Sequence, residues 1–215
     1  MWVYLPYTRL PAAYQEVEYI QSSGNAYINS WYTPNTSPYF QLQFKWQQVS
    51  NIQNNDYFYS AWGTNNNRSS FENSGWFYWN AWWTTWILNH QVSIWTDFEY
   101  DVKYNNWTFT VSWTQNWTTT YSVWSWLGTW TFCFLWAPGN NRYMNAKVYY
   151  FKMYQGQNYV LIRDFVPCYR KSDNVIWMYD LVNNQFYTNS WTGTFTKWAN
   201  VYTSELKNVY IGEYW

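Results

Sequence analysis

The feature that most constrains the fold is the alternation of apolar and polar side chains in short segments. Within residues 38–49 (PYFQLQFKWQQV), every second side chain is apolar at Phe40, Leu42, Phe44 and Trp46. Because successive side chains on a β-strand point to opposite faces, this period predicts a strand with one buried face. About a dozen such strands at close spacing, without a long helical period, predict an all-β sandwich or barrel.

Several of these strands are predicted to pair across short turns. Residues 98–111 have the pattern strand, turn, strand, which indicates a hairpin. Residues 146–170 contain two long strands around Gly156, and the segments NVIWMYDLV and NQFYTN meet at Asn183 and Asn184. Asp180 is predicted to cap the turn that follows it through its side chain.

The length of 215 residues suits one large β domain. We expect this domain to cover residues 1–202, with residues 203–215 forming a C-terminal strand or linker. A single helical turn is predicted at 205–208. The start of the chain, MWVYLPYTRLP, lacks the apolar run of a cleaved signal peptide. We therefore expect any export to use another route, or a signal outside this sequence.

Charge excludes some classes of partner. Charged residues make up 11% of the chain, against about 25% in ordinary domains. Lys and Arg together number 12, as do Asp and Glu, so the net charge is zero. Neither a nucleic acid partner nor an acidic membrane surface is indicated. No stretch approaches about 18 apolar residues, so no membrane span is predicted.

The two cysteines, Cys133 and Cys168, each lie in an apolar, strand-like run. Two are too few for a disulfide scaffold, and they have no metal-site spacing. Two buried free thiols are the favoured interpretation, and a single disulfide is the alternative.

Tryptophan occurs where glycine is expected. The chain has 21 Trp and only 8 Gly, where an average composition gives about 15 Gly. Trp107, Trp117 and Trp191 each follow Asn or Ser at a predicted turn. Such turns favour glycine because the backbone takes a positive φ, which a residue with a Cβ adopts at a cost. We therefore hypothesise that many of these Trp residues correspond to UGA codons that the source reads as glycine.

The specific motifs lie between residues 147 and 198. They are LIRDFVPC (161–168), VIWMYD (175–180) and FYTNSWTGTF (186–195), and LP (10–11), YIQSSG (19–24) and YIN (27–29) accompany them near the start. Together these strings resemble the concanavalin A-like (LamG-like) jelly-roll domains of phage virion and bacterial surface proteins. The family has glycine where this chain has Trp at positions 31, 177, 191 and 198.

The resemblance implies a concanavalin A-like jelly-roll β-sandwich of two antiparallel sheets. It does not fix a function, because this fold includes lectins, glycosidases and structural coat modules. The implied location is a virion, such as a phage tail, or a cell surface. The implied partner is a surface glycan or another virion protein, and the chain is a candidate homo-oligomer.

One acidic run is a weak candidate for catalysis. In residues 97–101 (DFEYD), Asp97, Glu99 and Asp101 occupy alternate positions and so share one face of a strand. Retaining glycosidases of this superfold use a similar acidic strand with two carboxyl groups about 5–5.5 Å apart. However, the outer residues here are Asp rather than Glu, and the hairpin that follows suggests an exposed edge strand. A solvated acidic face is the favoured interpretation.

The sequence contains little that would support a catalytic histidine, a cofactor or a metal site. The only histidine, His90, is interpreted as an ordinary strand residue, because no nucleophile motif accompanies it. Arg163 and Asp164 are adjacent in an apolar strand and predict a half-buried ion pair. No cofactor is implied. A calcium site would have to use loop residues that do not form a tight acidic cluster; these are Asp173, Asn174, Asn140 and Asn141.

The favoured function is therefore non-catalytic binding of carbohydrate, for adhesion. Aromatic rings pack against sugar rings, and amide groups bond sugar hydroxyls. The residues that best fit this role lie in and beside one predicted loop: Tyr57, Tyr59, Asn65, Asn66, Asn67, Arg68 and Tyr78. A structural assembly domain and a retaining glycosidase remain the alternatives.

Overall fold

The computed structural model describes residues 2–6, 9–23, 26–33, 39–50, 56–61, 67–71, 76–81, 84–91, 93–105, 108–113, 117–122, 132–137, 142–189, 192–201 and 206–210. These ranges contain 21 β-strands, more than the dozen that the sequence predicted. In the described ranges there is no helix with the length and apolar character needed to cross a membrane.

The first ten strands are β1 (Trp2–Pro6), β2 (Tyr14–Glu16), β3 (Ile20–Ser22), β4 (Ile28–Asn29), β5 (Tyr39–Gln48), β6 (Asp56–Ala61), β7 (Asn67–Phe71), β8 (Trp76–Ala81), β9 (Thr84–Gln91) and β10 (Asp97–Asn105). The others are β11 (Thr108–Trp113), β12 (Trp117–Ser122), β13 (Phe132–Phe134), β14 (Trp136–Ala137), β15 (Arg142–Tyr143), β16 (Ala146–Gln155), β17 (Val160–Arg170), β18 (Ile176–Asp180), β19 (Gln185–Tyr187), β20 (Phe195–Lys197) and β21 (Leu206–Tyr210).

Two antiparallel sheets form the body of the protein. The larger has the order β12-β11-β10-β5-β16-β17-β18-β19, and β2, β3 and β20 pair with it off this path. The smaller has the order β4-β13-β6-β7-β8-β9, and β14 with β15 forms a separate pair. The predicted hairpins are confirmed, because β10 pairs with β11, β16 with β17, and β18 with β19.

The core lies between the two sheets and is rich in aromatic rings. As predicted, the alternate residues of β5 are buried, and Phe44 and Trp46 are completely so. Phe58 of β6 packs against both, with ring centroids 4.7 Å from Phe44 and 5.1 Å from Trp46. The ring of Phe151, from β16, completes the group at 5.5 Å from Phe44. Cross-sheet burial of this apolar surface is the main force that holds a sandwich together.

Both cysteines are free and buried, which confirms the favoured interpretation of the thiols. Cys133 lies in β13 of the smaller sheet and Cys168 in β17 of the larger one. Burial raises the pKa of the Cys133 thiol to about 12, and it also raises the pKa of Cys168. Both side chains therefore behave as small apolar groups.

The helical turn predicted at 205–208 is wrong, because residues 206–208 belong to strand β21. This strand pairs antiparallel with β1, from Trp2 opposite Tyr210 to Pro6 opposite Leu206. The local sequence gave no sign of this partner, which lies about 200 residues away along the chain.

Arg163 and Asp164 do not pair with each other, which corrects the expected ion pair. Neighbouring residues on a strand point to opposite faces, so each finds a partner on a different strand. The Nε of Arg163 lies 3.5 Å from Oδ2 of Asp180 on β18, and Asp164 lies 3.6 Å from the Nζ of Lys152 on β16. Both pairs still tie β17 to its neighbours.

Asp180 caps the turn after β18, as predicted. Its Oδ1 accepts the backbone N–H of Val182 at 3.0 Å, and its Oδ2 accepts the side-chain amide of Asn183 at 2.5 Å. The same Oδ1 also accepts the backbone N–H of Asp164 at 3.0 Å. One buried carboxylate thus fixes both the turn and the adjacent strand.

Candidate functional site

The acidic strand β10 lies inside the larger sheet, between β5 and β11, and not at an edge. The expected edge position is therefore wrong. Its buried residues Phe98, Tyr100 and Val102 face the core, whereas Asp97 and Glu99 are exposed and Asp101 is half-buried. The three carboxylates form a line on the outer face of the larger sheet, flanked by a strand on either side. This outer surface is called the open face below.

Two glutamines of β5 hold the Asp101 carboxylate. The side-chain amide of Gln41 donates to Oδ1 and Oδ2 of Asp101 at 2.7 and 2.9 Å, and Gln43 donates to Oδ2 at 3.0 Å. Gln43 lies directly opposite Asp101 in the ladder. Gln43 in turn accepts the hydroxyl of Tyr154 from β16 at 2.8 Å. The carboxylate is therefore held in a fixed orientation by donors from a neighbouring strand.

A β-bulge in β16 brings two consecutive tyrosines to the open face. Val148 pairs with Trp46 and Tyr150 with Lys45, so Tyr149 is an extra residue in the ladder. The burial pattern reflects this, since Tyr149 and Tyr150 are both half-buried between the buried Val148 and Phe151. Bulges of this kind change the direction of a side chain and are common beside functional sites.

Each of these tyrosines donates its hydroxyl to a carboxylate of β10. Tyr150 donates to Oε1 of Glu99, and Tyr149 donates to Oδ1 of Asp97 at 3.0 Å. Burial, followed by these hydrogen bonds, raises the pKa of both phenols, so both stay protonated donors at neutral pH.

Asp97 has two further partners. The side-chain amide of Gln47 donates to its Oδ1 at 2.7 Å, and the Nζ of Lys45 lies 3.2 Å from its Oδ2. Lys45 also lies over the ring of Tyr149, 4.5 Å from the centroid. The charge of Asp97 is thus compensated within the protein.

A cleft of about 300 Å³ opens on this face. Its lining combines carboxylate, amide, hydroxyl and aromatic groups: Gln43, Glu99, Tyr100, Asp101, Ser112, Trp113 and Tyr150. Asp97 is not part of the lining, so only two of the three carboxylates meet in the cleft.

Hydroxyl pairs continue the polar surface beyond the cleft. Ser112 and Thr118 lie 3.1 Å apart through their oxygens, as do Thr110 and Thr120. Both pairs join β11 to β12. The open face is therefore polar across β11 and β12, where the sequence has no charged residue.

The residues predicted to bind sugar lie on the smaller sheet instead. Tyr57 and Tyr59 belong to β6, Asn67 and Arg68 to β7, and Tyr78 to β8. The ladder places Tyr57 opposite Ser70, and Ser70 opposite Tyr78. Asn65 and Asn66 lie outside the described residues. The backbone thus brings five of the seven onto three adjacent strands, separate from the acidic strand, and their role stays a prediction.

The remaining candidates do not come together. His90 lies in β9 of the smaller sheet. Among the described residues, no three His, Cys, Asp or Glu side chains are grouped to hold a metal ion. Asp173 pairs with Arg170 at 2.5 Å, and this hydrogen bond holds the pKa of the carboxyl below its usual value. Asn174 follows with a φ of 57°, whereas Asn140 and Asn141 lie outside the described residues.

Sequence reasoning missed the groups that build the cleft around the acidic run. Alternation in β5 could have indicated that Gln41, Gln43 and Gln47 share one face. It could not show that this face meets β10, because the pairing joins residues that are far apart in the chain, such as Gln43 and Asp101. The bulge that turns Tyr150 toward Glu99 is marked in the sequence only by a shift in the alternation, from Ala146 and Val148 to Phe151 and Met153.

Comparison with known proteins supports the architecture only. No known family and no curated protein sequence matches the chain, whereas 29 chains of solved structures match it. One is a Bacteroides ovatus protein to which carbohydrate binding is provisionally assigned. It has a TM-score of 0.63 and 10% identity, and the match covers 86% of this chain but 62% of that one. This chain therefore spans less than two thirds of that neighbour.

A second match is a heptameric SAP-like pentraxin of Limulus polyphemus. It has a TM-score of 0.49 and 6% identity, with coverage of 65% of this chain and 76% of the pentraxin. The fold of the present chain is an all-β, concanavalin A-like jelly roll of antiparallel sheets, as the sequence resemblance implied.

Proposed function

We propose that the chain is a non-catalytic carbohydrate-binding module and that the cleft on the open face is its binding site. The observation that carries this proposal is the meeting of Glu99, Asp101, Gln43 and Tyr150 around one cleft of about 300 Å³. The provisional assignment of carbohydrate binding to the Bacteroides ovatus neighbour agrees with it.

The chemistry of the lining suits sugar hydroxyls. Carboxylates accept hydrogen bonds from hydroxyl groups, and serine and tyrosine can donate or accept them. The half-buried ring of Tyr150 supplies apolar surface for the C–H face of a sugar ring. A few oriented polar groups beside an aromatic ring are typical of small-ligand sites.

The test is a glycan array with the wild-type chain, Glu99→Gln and Tyr78→Ala. We expect selective binding to one class of glycan, which Glu99→Gln weakens and Tyr78→Ala leaves intact. The reverse pattern would move the site to the smaller sheet, where the sequence predicted it. A blank array from well-folded protein would favour the structural assembly role.

A retaining glycosidase is the second candidate, because Glu99 and Asp101 line the same cleft. The side-chain amides of Gln41 and Gln43 occupy both oxygens of Asp101, which argues against this candidate. A nucleophile needs an oxygen with open access to the anomeric carbon, and a general acid needs a proton that it can donate. Any glycan bound on the array should therefore remain intact when assayed for new reducing ends. New reducing ends that appear with the wild-type chain and are lost in Glu99→Gln would establish a glycosidase instead.

We further propose that the module acts at a virion or cell surface, by itself or as a homo-oligomer. The support is the resemblance of the motifs at 161–168 and 175–180 to surface and virion proteins. Light scattering of the purified chain would give the oligomeric state. Fractionation of the source, followed by immunodetection, would test the location.

We also propose that some of the 21 Trp positions are glycine in the source. Two exposed residues, Trp31 and Trp95, have φ values of 51° and 64°, a region that favours glycine. By contrast, Trp46, Trp113 and Trp177 are buried in the core. The family's glycine at position 177 therefore has the least structural support. Mass spectrometry of the native protein would decide each position.

A further inference from the structure

One row of directly opposed residues crosses the open face at the cleft. The strand register places five residues in line, one on each of five adjacent strands: Lys152 (β16), Gln43 (β5), Asp101 (β10), Ser112 (β11) and Thr118 (β12). Directly opposed residues on neighbouring strands share one face of a sheet. Three of the five, Gln43, Asp101 and Ser112, line the cleft. The cleft therefore follows this row across the strands, and the five residues are called the cleft row below.

The cleft row continues beyond the cleft at β12. The Oγ of Ser112, which lines the cleft, lies 3.1 Å from the Oγ1 of Thr118, which is exposed. Strand β12 is the last strand on this side of the larger sheet. Each hydroxyl has one hydrogen to donate and two lone pairs, so the pair retains bonding capacity for a ligand after one mutual hydrogen bond. A ligand that fills the cleft and extends over Ser112 next meets the hydroxyl of Thr118.

The neighbouring row has the same chemistry on β11 and β12 but does not reach the cleft. It consists of Tyr154 (β16), Gln41 (β5), Lys103 (β10), Thr110 (β11) and Thr120 (β12). Thr110 and Thr120 also lie 3.1 Å apart through their oxygens. None of these five residues lines the cleft. The same two strands thus carry one hydroxyl pair beside the cleft and one away from it.

We propose that the Ser112–Thr118 hydroxyl pair is a second sugar subsite, so that the cleft takes an unbranched oligosaccharide of at least three sugar residues lying across the strands. This inference rests on the proposed carbohydrate-binding function. From Gln43 on β5 to Thr118 on β12 the cleft row covers three strand spacings, or roughly 14 Å. That span is longer than two linked pyranose rings. One sugar residue lies in the cleft beside Tyr150, and the chain continues over Ser112 to Thr118.

The test is isothermal titration calorimetry with the disaccharide and the tetrasaccharide of four series, derived from laminarin, cellulose, mannan and starch. In a series that binds, we expect the tetrasaccharide to bind at least about tenfold more tightly than the disaccharide, because it gains contacts at the second subsite. Thr118→Val removes the hydroxyl but keeps the size of the side chain and its preference for a strand. It should weaken tetrasaccharide binding by roughly fivefold, the effect of one hydrogen bond, and leave disaccharide binding within about twofold of wild type.

Thr120→Val is the matched control, since it makes the same change on the same strand in the row that does not reach the cleft. Its affinity for both lengths should stay within about twofold of wild type, and thermal unfolding should show that both variants remain folded. Equal effects of the two variants, an unchanged Thr118→Val, or equal affinity of wild type for the two lengths would overturn the inference and leave the proposed function standing. Failure of the wild type to bind any tetrasaccharide would overturn the proposed function, and this inference with it.

Discussion

Trp31 is a residue whose backbone conformation conflicts with its side chain. Its φ of 51° lies in the left-handed region, its backbone N–H is held by Oδ1 of Asn29 at 2.8 Å, and it is 71% exposed. That conformation costs a residue with a Cβ about 1–2 kcal/mol in the folded state, and glycine avoids this cost. Glycine is, however, more flexible in the unfolded chain, which lowers the stability of the folded state by about 0.4–1 kcal/mol relative to alanine. We therefore expect Trp31→Gly to be about 1 kcal/mol more stable than Trp31→Ala.

The comparison of Gly with Ala isolates the backbone effect, because both variants lose the indole. For a domain of this size, 1 kcal/mol corresponds to about 2–4 °C in Tm, which thermal unfolding followed by circular dichroism resolves. Trp198 is the control: it is 61% exposed and its φ is not positive, so glycine there should be less stable than alanine. A Trp31→Ala variant as stable as Trp31→Gly would refute the reasoning.

Three further outcomes are expected. Phe58→Ala should lower the free energy of unfolding by about 3–5 kcal/mol in urea titrations, because the ring is fully buried between the sheets; a loss below about 1 kcal/mol would contradict this packing. Burial raises the pKa of Asp164 in the folded state above its ordinary value of 3.8. The folded state therefore keeps this proton to a higher pH than the unfolded state does, and the protein loses stability as the pH rises from about 4 through the raised pKa. Asp164→Asn should therefore flatten the dependence of Tm on pH above about 4, whereas an unchanged slope would contradict the assignment. Cys133 and Cys168 should not react with a thiol reagent in the native protein, and both should react once the protein is unfolded in urea. Rapid labelling of the native protein would contradict the burial of the two thiols.

Much of the fold could be predicted from the sequence. Strands β5, β10 and β16 follow from alternation, since a period of two indicates an extended chain with one buried face. The turn at Asp180 was also predictable, because its carboxylate accepts the backbone N–H of Val182 and the side-chain amide of Asn183, both within three residues. These features depend on interactions between residues close together in the chain.

The candidate site was predictable only in part. The sequence by itself determined that Asp97, Glu99 and Asp101 share one face, because they alternate on a single strand. Only the tertiary structure decided that this strand lies between two others in the sheet, that Gln41 and Gln43 hold Asp101, and that a bulge directs Tyr150 to Glu99. The physical reason is that strand pairing joins distant segments through backbone groups that every residue carries, so the choice of partner is set by packing of the whole sandwich.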